Sequence, residues 1–258
     1  MFYCSSNLCG SIVDCCLYCL YSVCDVETLH LQIIIIMWPT ALLLGDSQTQ
    51  LGWSGGGWVS LLAEKYVRRV DIINRGLSGY NTRMLLQVLP EILEQIDATK
   101  IKIVTLMMGS NDASLEHSEQ AVPVEEFYEN MLKIVTMLLN HGIKREAIIL
   151  ISPPPVIPDK WMKYKNSLPG PVMENYKDNE LTKKFAVREY YPKIAFVDLF
   201  SELMKSRNLD SALSDGLHLD KPGHRTLFDL LTGEFDQRLD SKMELPEWRE
   251  LVEQQKRA

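Results

Sequence analysis

Ser47 stands where an apolar run stops. Leu42-Leu43-Leu44 leads into Gly45, Asp46 and Ser47, followed by a polar stretch and then Gly55-Gly56-Gly57 ahead of Trp58. A serine so placed can attack an acyl carbon only if a base takes its proton and donors stabilise the oxyanion that forms. Near the other end of the chain, Ser214-Asp215-Gly216-Leu217-His218 sets a carboxylate three residues ahead of an imidazole. That spacing lets Asp215 hold one ring nitrogen while the other faces Ser47. Backbone N–H groups of Ser47 and Gly79, with the Asn111 side-chain amide as a third donor, could cradle the oxyanion. Glycine matters at such a position because its backbone can approach the substrate without a Cβ in the way. Each donor of this kind is worth about 3 kcal/mol of barrier.

Other readings compete at each position. Ser47 could instead cap a helix, Asn111 could make an Asx turn, and Gly79 could be a plain turn glycine, with Gly76 as its neighbouring turn residue. Asp46 reads as a structural acceptor bracing the loop, and Asp112 as a tie between loops. Arg75 and Arg83 read as loop braces or solvated cations. Trp53 and Trp58 could wall an acyl pocket, though Trp58 equally suits packing a helix onto a sheet. Among five histidines, His224 is the rival base, since it shares the last loop; only His218 has a carboxylate at i−3. Asp215, His218, Asp220 and His224 are also ligand types for a divalent metal, which would leave Ser47, Gly79 and Asn111 without a purpose. A non-enzymatic, phosphate-binding module built on Gly55-Gly56-Gly57 lacks the G-x-x-x-x-G-K and G-x-G-x-x-G patterns.

The elements that must position these residues alternate. Strand-like runs, short and rich in Ile, Val and Leu, fall at 40–44, 70–74, 102–108, 147–151 and 194–199. Near-continuous apolar character suits strands buried on both faces. Helical patterns occupy 58–69, 83–96, 124–140, 174–190, 227–239 and 246–255. The alternation predicts an α/β fold, a central five-stranded parallel sheet with helices on both faces. In such sheets, sites lie beyond the carboxyl ends of the strands. The first strand exits into Gly45-Asp46-Ser47, the second into Asn74–Thr82, the third into Gly109-Ser110-Asn111-Asp112, and the last polar segment, Ser214–Asp220, follows the fifth. The proline-rich stretch 153–173 reads as a long surface loop bordering that site.

Composition narrows the partners. The chain has 258 residues, a net charge of −7 and 46% apolar residues, enough for one substantial core. No basic stripe invites nucleic acid or an anionic membrane. All six cysteines lie within the first 24 residues. Residues 1–37 therefore read as a cysteine-rich, poorly ordered extension, and 38–258 as the globular domain. No lysine or arginine precedes Lys65, so a secretory leader's positive start is missing. No run is long enough for a membrane span. A cytoplasmic location is expected, with homo-oligomerisation left open.

The blocks "GDSQTQ", "NRGLSGYNT", "GSND" and "SDGLHLDKPG", in that order, resemble the signature blocks of the SGNH (GDSL) hydrolase family. The longer agreement, with "GGGW" and "SDGLHL", resembles its isoamyl acetate-hydrolysing esterase branch, over roughly residues 40–250. The resemblance implies a three-layer α/β/α sandwich and a cofactor-free, metal-free serine esterase acting on short acyl esters of small alcohols. It implies Ser47 as nucleophile, His218 as base, Asp215 as its orienting carboxylate, and Ser47, Gly79 and Asn111 as the oxyanion hole. A lipase, or a deacetylase of acetylated sugars, is the alternative within the same family.

Overall fold

The computed structural model describes residues 38–186, 193–206, 208–240 and 244–257. The expected N-terminal extension, with all six cysteines, lies outside the described residues. The described chain builds a five-stranded, all-parallel sheet in the order β2-β1-β3-β4-β5. Its strands are β1 (Thr40–Gly45), β2 (Asp71–Gly76), β3 (Ile101–Met107), β4 (Ile148–Ile151) and β5 (Ala195–Val197).

Each residue of β1 is buried, as a central strand covered on both faces must be. Its side chains divide by parity. Leu42 and Leu44 join a core with Leu85, Leu89, Phe127 and Ile134. Ala41 and Leu43 join another with Trp58, Leu62, Leu227 and Phe235. One face is therefore covered by α3 (Thr82–Glu94) and α4 (Val124–Asn140), the other by α2 (Trp58–Lys65) and α9 (Lys221–Arg238). This is the expected three-layer α/β/α sandwich.

The strand order reverses around β1. The chain leaves it for β2 on one side and returns to β3 on the other, which opens a crevice at the carboxyl ends of these strands. The first two exits and the third converge there. The register pairs Gly45 of β1 with Gly76 of β2 and with Met107 of β3.

Several elements differ from the sequence reading. The stretch 153–173 is partly helical: α5 (Pro158–Lys165) opens with proline in its first turn and buries Trp161. The helix expected over 174–190 contracts to α6 (Asn179–Lys184), started by an Asp178 cap, and 187–190 lies outside the described residues. The fifth strand stops at Val197 because Asp198 caps α7 (Leu199–Lys205), accepting from the Ser201 amide at 2.9 Å. The helix expected from Leu227 begins six residues earlier, where Asp220 caps it and Pro222 occupies its first turn. Short helices α1 (Ser47–Gln50) and α8 (Leu209–Ala212) complete the core region, and α10 (Trp248–Arg257) closes the described chain.

Candidate active site

A sharp turn carries the candidate nucleophile. Asp46 is the N-cap of α1, and its carboxylate accepts from the Gln48 amide at 2.9 Å. Ser47 is thus the first helical residue and not the cap. Asp46 is fully buried, and burial raises its carboxyl above the usual range, opposed by the Gln48 amide, the adjacent Ser110 hydroxyl and the charge of Lys177. It is the structural acceptor expected. Gly76 is no turn residue: it ends β2 hard against α1, and a Cβ there would lie 2.1 Å from the Gln50 nitrogen. Its missing side chain lets α1 sit on the strand ends.

Ser47, His218 and Asp215 form one hydrogen-bonded chain. Ser47 Oγ lies 2.9 Å from His218 Nε2, and His218 Nδ1 lies 2.7 Å from Asp215 Oδ2. The other carboxylate oxygen of Asp215 accepts from the backbone amides of Leu217 at 2.9 Å and His218 at 2.8 Å. Burial pushes the Asp215 carboxyl up, yet the His218 ring and these amides outweigh it, leaving the group below the usual carboxylate range. An ionised Asp215 keeps the proton on Nδ1 and the lone pair of Nε2 on the serine. That is the state in which imidazole can accept a proton.

The expected oxyanion donors gather at the same end of the sheet. Gly79 has φ of +82°, a left-handed conformation that a side chain would strain, although the nearest atom to a Cβ there is Gln120 Nε2 at 3.7 Å. Its carbonyl accepts from Gln120 Nε2 at 2.7 Å, fixing the orientation of that turn. Asn111 makes no Asx turn. Its Nδ2 donates to the Tyr80 carbonyl at 2.9 Å, which ties the third exit to the second and leaves one N–H of the amide available. Asp112 ties loops as expected: its Oδ1 accepts from both the Thr82 amide, at 2.9 Å, and the Thr82 hydroxyl. Burial pushes its carboxyl up to about 6.

The rival groups lie elsewhere. His224 is not in a loop but within α9, buried, and burial pushes its imidazole down to about 4. Asp220 is engaged as the α9 cap, so the four metal-ligand types of that segment do not converge. Among the described residues no group of three or more His, Cys, Asp or Glu is arranged to hold a metal ion. Trp58 is fully buried against the sheet and donates its indole N–H to the Gln48 carbonyl at 3.0 Å, while Trp53 is exposed. Arg83 is a brace, pairing with Glu126.

Three residues escaped the sequence reading. Gln48 clamps the histidine segment from both sides, donating to the Leu217 carbonyl at 2.8 Å and accepting from the Leu219 amide at 3.2 Å. Trp161 of α5 meets the His218 ring edge-on at 5.7 Å and donates to the Tyr176 hydroxyl at 2.9 Å. Lys177 is buried, and its ammonium donates to the Ser110 carbonyl next to Asn111. Only long-range contacts mark these three, since nothing in their local spacing differs from ordinary helix or loop residues.

Most of the chain has recognisable relatives. A profile of the GDSL-like Lipase/Acylhydrolase family matches residues 43–226. A mouse (Mus musculus) protein named isoamyl acetate-hydrolyzing esterase 1 homolog is 37% identical, over 84% of this chain and 90% of its own length. Its human (Homo sapiens) counterpart is 34% identical over the same shares, 84% and 90%. The crystal structure of a lipase/acylhydrolase from Enterococcus faecalis superposes with a TM-score of 0.60 at 24% identity, covering 78% of this chain and 97% of that one. No helix among the described residues is long and apolar enough to cross a membrane. With a family match across most of its length, the fold to go with it and esterases as its relatives, this chain belongs to the GDSL-like lipase/acylhydrolase family and is a carboxylic ester hydrolase.

Proposed function

We propose that the protein hydrolyses short acyl esters of small alcohols through an acyl-enzyme formed on Ser47. The observation that carries this reading is the continuous chain Ser47 Oγ–His218 Nε2, 2.9 Å, and His218 Nδ1–Asp215 Oδ2, 2.7 Å. Ser47 Oγ attacks the ester carbonyl as His218 Nε2 takes its proton, and the new C–O bond makes a tetrahedral oxyanion. The Ser47 and Gly79 amides and the Asn111 side chain stabilise that oxygen. His218 returns the proton to the leaving alcohol as the ester C–O bond breaks. Water, deprotonated by His218 in turn, then releases the acid and restores Ser47. Asp215 stays ionised throughout and steadies the imidazolium. No cofactor takes part in these steps.

The relatives named for isoamyl acetate hydrolysis support a small alcohol and a short acyl group. A second reading, an acetylated sugar as substrate, is favoured by one feature. A cavity of about 480 Å³ has a lining that includes His117, Glu119, Gln120, Lys165, Met173 and Tyr176. Gln120 also bonds Gly79, and Tyr176 bonds the tryptophan that flanks His218, so two of its lining residues are bonded to groups at the site. Turnover of a panel running from isoamyl acetate through longer acyl chains to acetylated sugars ranks the two. A serine-directed phosphonate should label Ser47 and abolish turnover of the whole panel. Full activity after stoichiometric labelling elsewhere would refute the mechanism.

A further inference from the structure

Lys177 is among the most deeply buried side chains, 2% exposed, and takes no part in the proton transfers described above. Burying an ammonium costs several kcal/mol unless its donors and its charge are matched. Here both are. Nζ donates to the Ser110 carbonyl and, at 2.7 Å, to Ser114 Oγ. Ser114 Oγ in turn donates to the Asn111 carbonyl at 2.7 Å. The ammonium therefore fastens the peptide just before the Asn111 Cα directly and the one just after it through a single hydroxyl. With both peptides held, the direction of the Asn111 Cα–Cβ bond is set, and the Tyr80 carbonyl fixes the amide at its far end.

The surroundings suit a charge at this spot. Burial pushes the Lys177 amine down to about 8, and the carboxylates of Asp46 and Asp112 pull the other way, so at neutral pH the cation prevails. The Tyr176 ring stacks over it at 5.4 Å. A charged donor holds a carbonyl roughly twice as firmly as a neutral one. The backbone reinforces the contact, since Ser114 and Lys177 form an isolated antiparallel bridge and the Leu115 amide donates to the Tyr176 carbonyl at 2.9 Å.

We propose that Lys177 is a positioning residue for the oxyanion hole: it locks the Ser110–Ser114 turn so that the Asn111 amide meets the developing charge. The proposal rests on the reading of Asn111 as an oxyanion donor. A misplacement of about 1 Å in a reacting group can cost 10²-fold in rate. Lys177→Met should therefore lower kcat by about 10- to 100-fold with KM little changed, because the amide binds the transition state more tightly than the ester.

A double-mutant cycle tests this. Lys177→Met, Asn111→Ala and the combined variant are compared for kcat, KM and Tm on a short-chain acetate ester. Once Asn111 is alanine there is no amide to position, so Lys177→Met should then change kcat less than about threefold. The same cycle with Lys177→Gln, which keeps an N–H donor without the charge, covers the case where the methionine variant does not fold. It should show a smaller loss that vanishes in the same background. Equal kcat losses in both backgrounds, or a lowered Tm with unchanged kcat, would overturn the proposal. A normal kcat for Asn111→Ala alone would remove the oxyanion reading itself, a failure distinct from additivity in the cycle.

Discussion

Replacing Asp215 with asparagine separates the carboxylate's chemical role from its structural one. The Asp215 oxygen that accepts from the Leu217 and His218 amides, at 2.9 and 2.8 Å, can be replaced by the asparagine carbonyl with both bonds kept. The side-chain NH2 then falls opposite His218 Nδ1, where a carboxylate oxygen now sits at 2.7 Å. A donor facing a donor is not tolerated, so the ring must take the tautomer with its proton on Nε2. That proton points at Ser47 Oγ, and the base is lost. By the tautomer argument kcat should fall about 10⁴-fold, or about 5 kcal/mol of barrier. The fold should scarcely notice, with Tm lowered by less than about 2 °C. Asp215→Ala predicts the other balance. It also removes the acceptor of two amides, costing about 1–3 kcal/mol, which in a domain of this size is a Tm loss of about 2–12 °C. Yet its imidazole is free to choose its tautomer, so its kcat should be no lower than that of the asparagine variant. Calorimetry and steady-state turnover of a short-chain acetate ester measure both quantities. An asparagine variant within tenfold of the parent kcat, or one less stable than the alanine variant, would refute the reasoning.

Ser47→Ala should fold normally and lose at least about 10³-fold in turnover, since in the proposed mechanism no other group forms the acyl-enzyme; stopped-time assays with a phosphonate-treated control give the floor. His218→Ala should match it, whereas His224→Leu should retain most of kcat, because His224 lies within α9 and is not bonded to Ser47. His224 also predicts a pH effect. Its imidazole falls from 6.5 to about 4 on folding, so the unfolded chain binds more protons between those values and stability drains away as pH falls through that window. Asp112, raised from 3.8 to about 6, has the opposite sign over much of the same range, so the quantity to read is the difference between His224→Leu and the parent in Tm against pH. That difference should narrow in favour of the variant below pH 6.5 and be flat above it. Gly79→Ala has room for its methyl but not for its φ of +82°, so it should cost about 1–2 kcal/mol of stability and lower kcat as the turn shifts; a crystal structure with the turn unmoved and full activity would disprove this.

Much of this architecture is legible in the chain alone, and the reason is local. Strands buried on both faces must be near-continuously apolar, so Leu42–Leu44, Ile103–Leu106 and Ile148–Ile151 announce themselves. The four polar strand exits carry residue types that turns and acyl chemistry both need, and their order along the chain identifies the family. The sequence reading places the start of α9 too late, at Leu227, because the Asp220 cap and Pro222 of its first turn are weaker signals than the apolar run that begins there. What tertiary structure alone decides is which polar groups meet across long stretches of sequence. The step from Ser47 to His218 spans 171 residues; the carboxylate at i−3 favours His218 over His224 in the chain alone, but only the fold brings its Nε2 to Ser47. Gly76 looks like a turn glycine until α1, folded back from the previous strand, is found against it. Trp161, Gln48 and Lys177 are unremarkable in sequence because a residue's burial depends on what packs over it, and that is fixed by segments far away. A lysine reads as solvated until two loops close over its ammonium and supply a carbonyl, a hydroxyl and two carboxylates to match it.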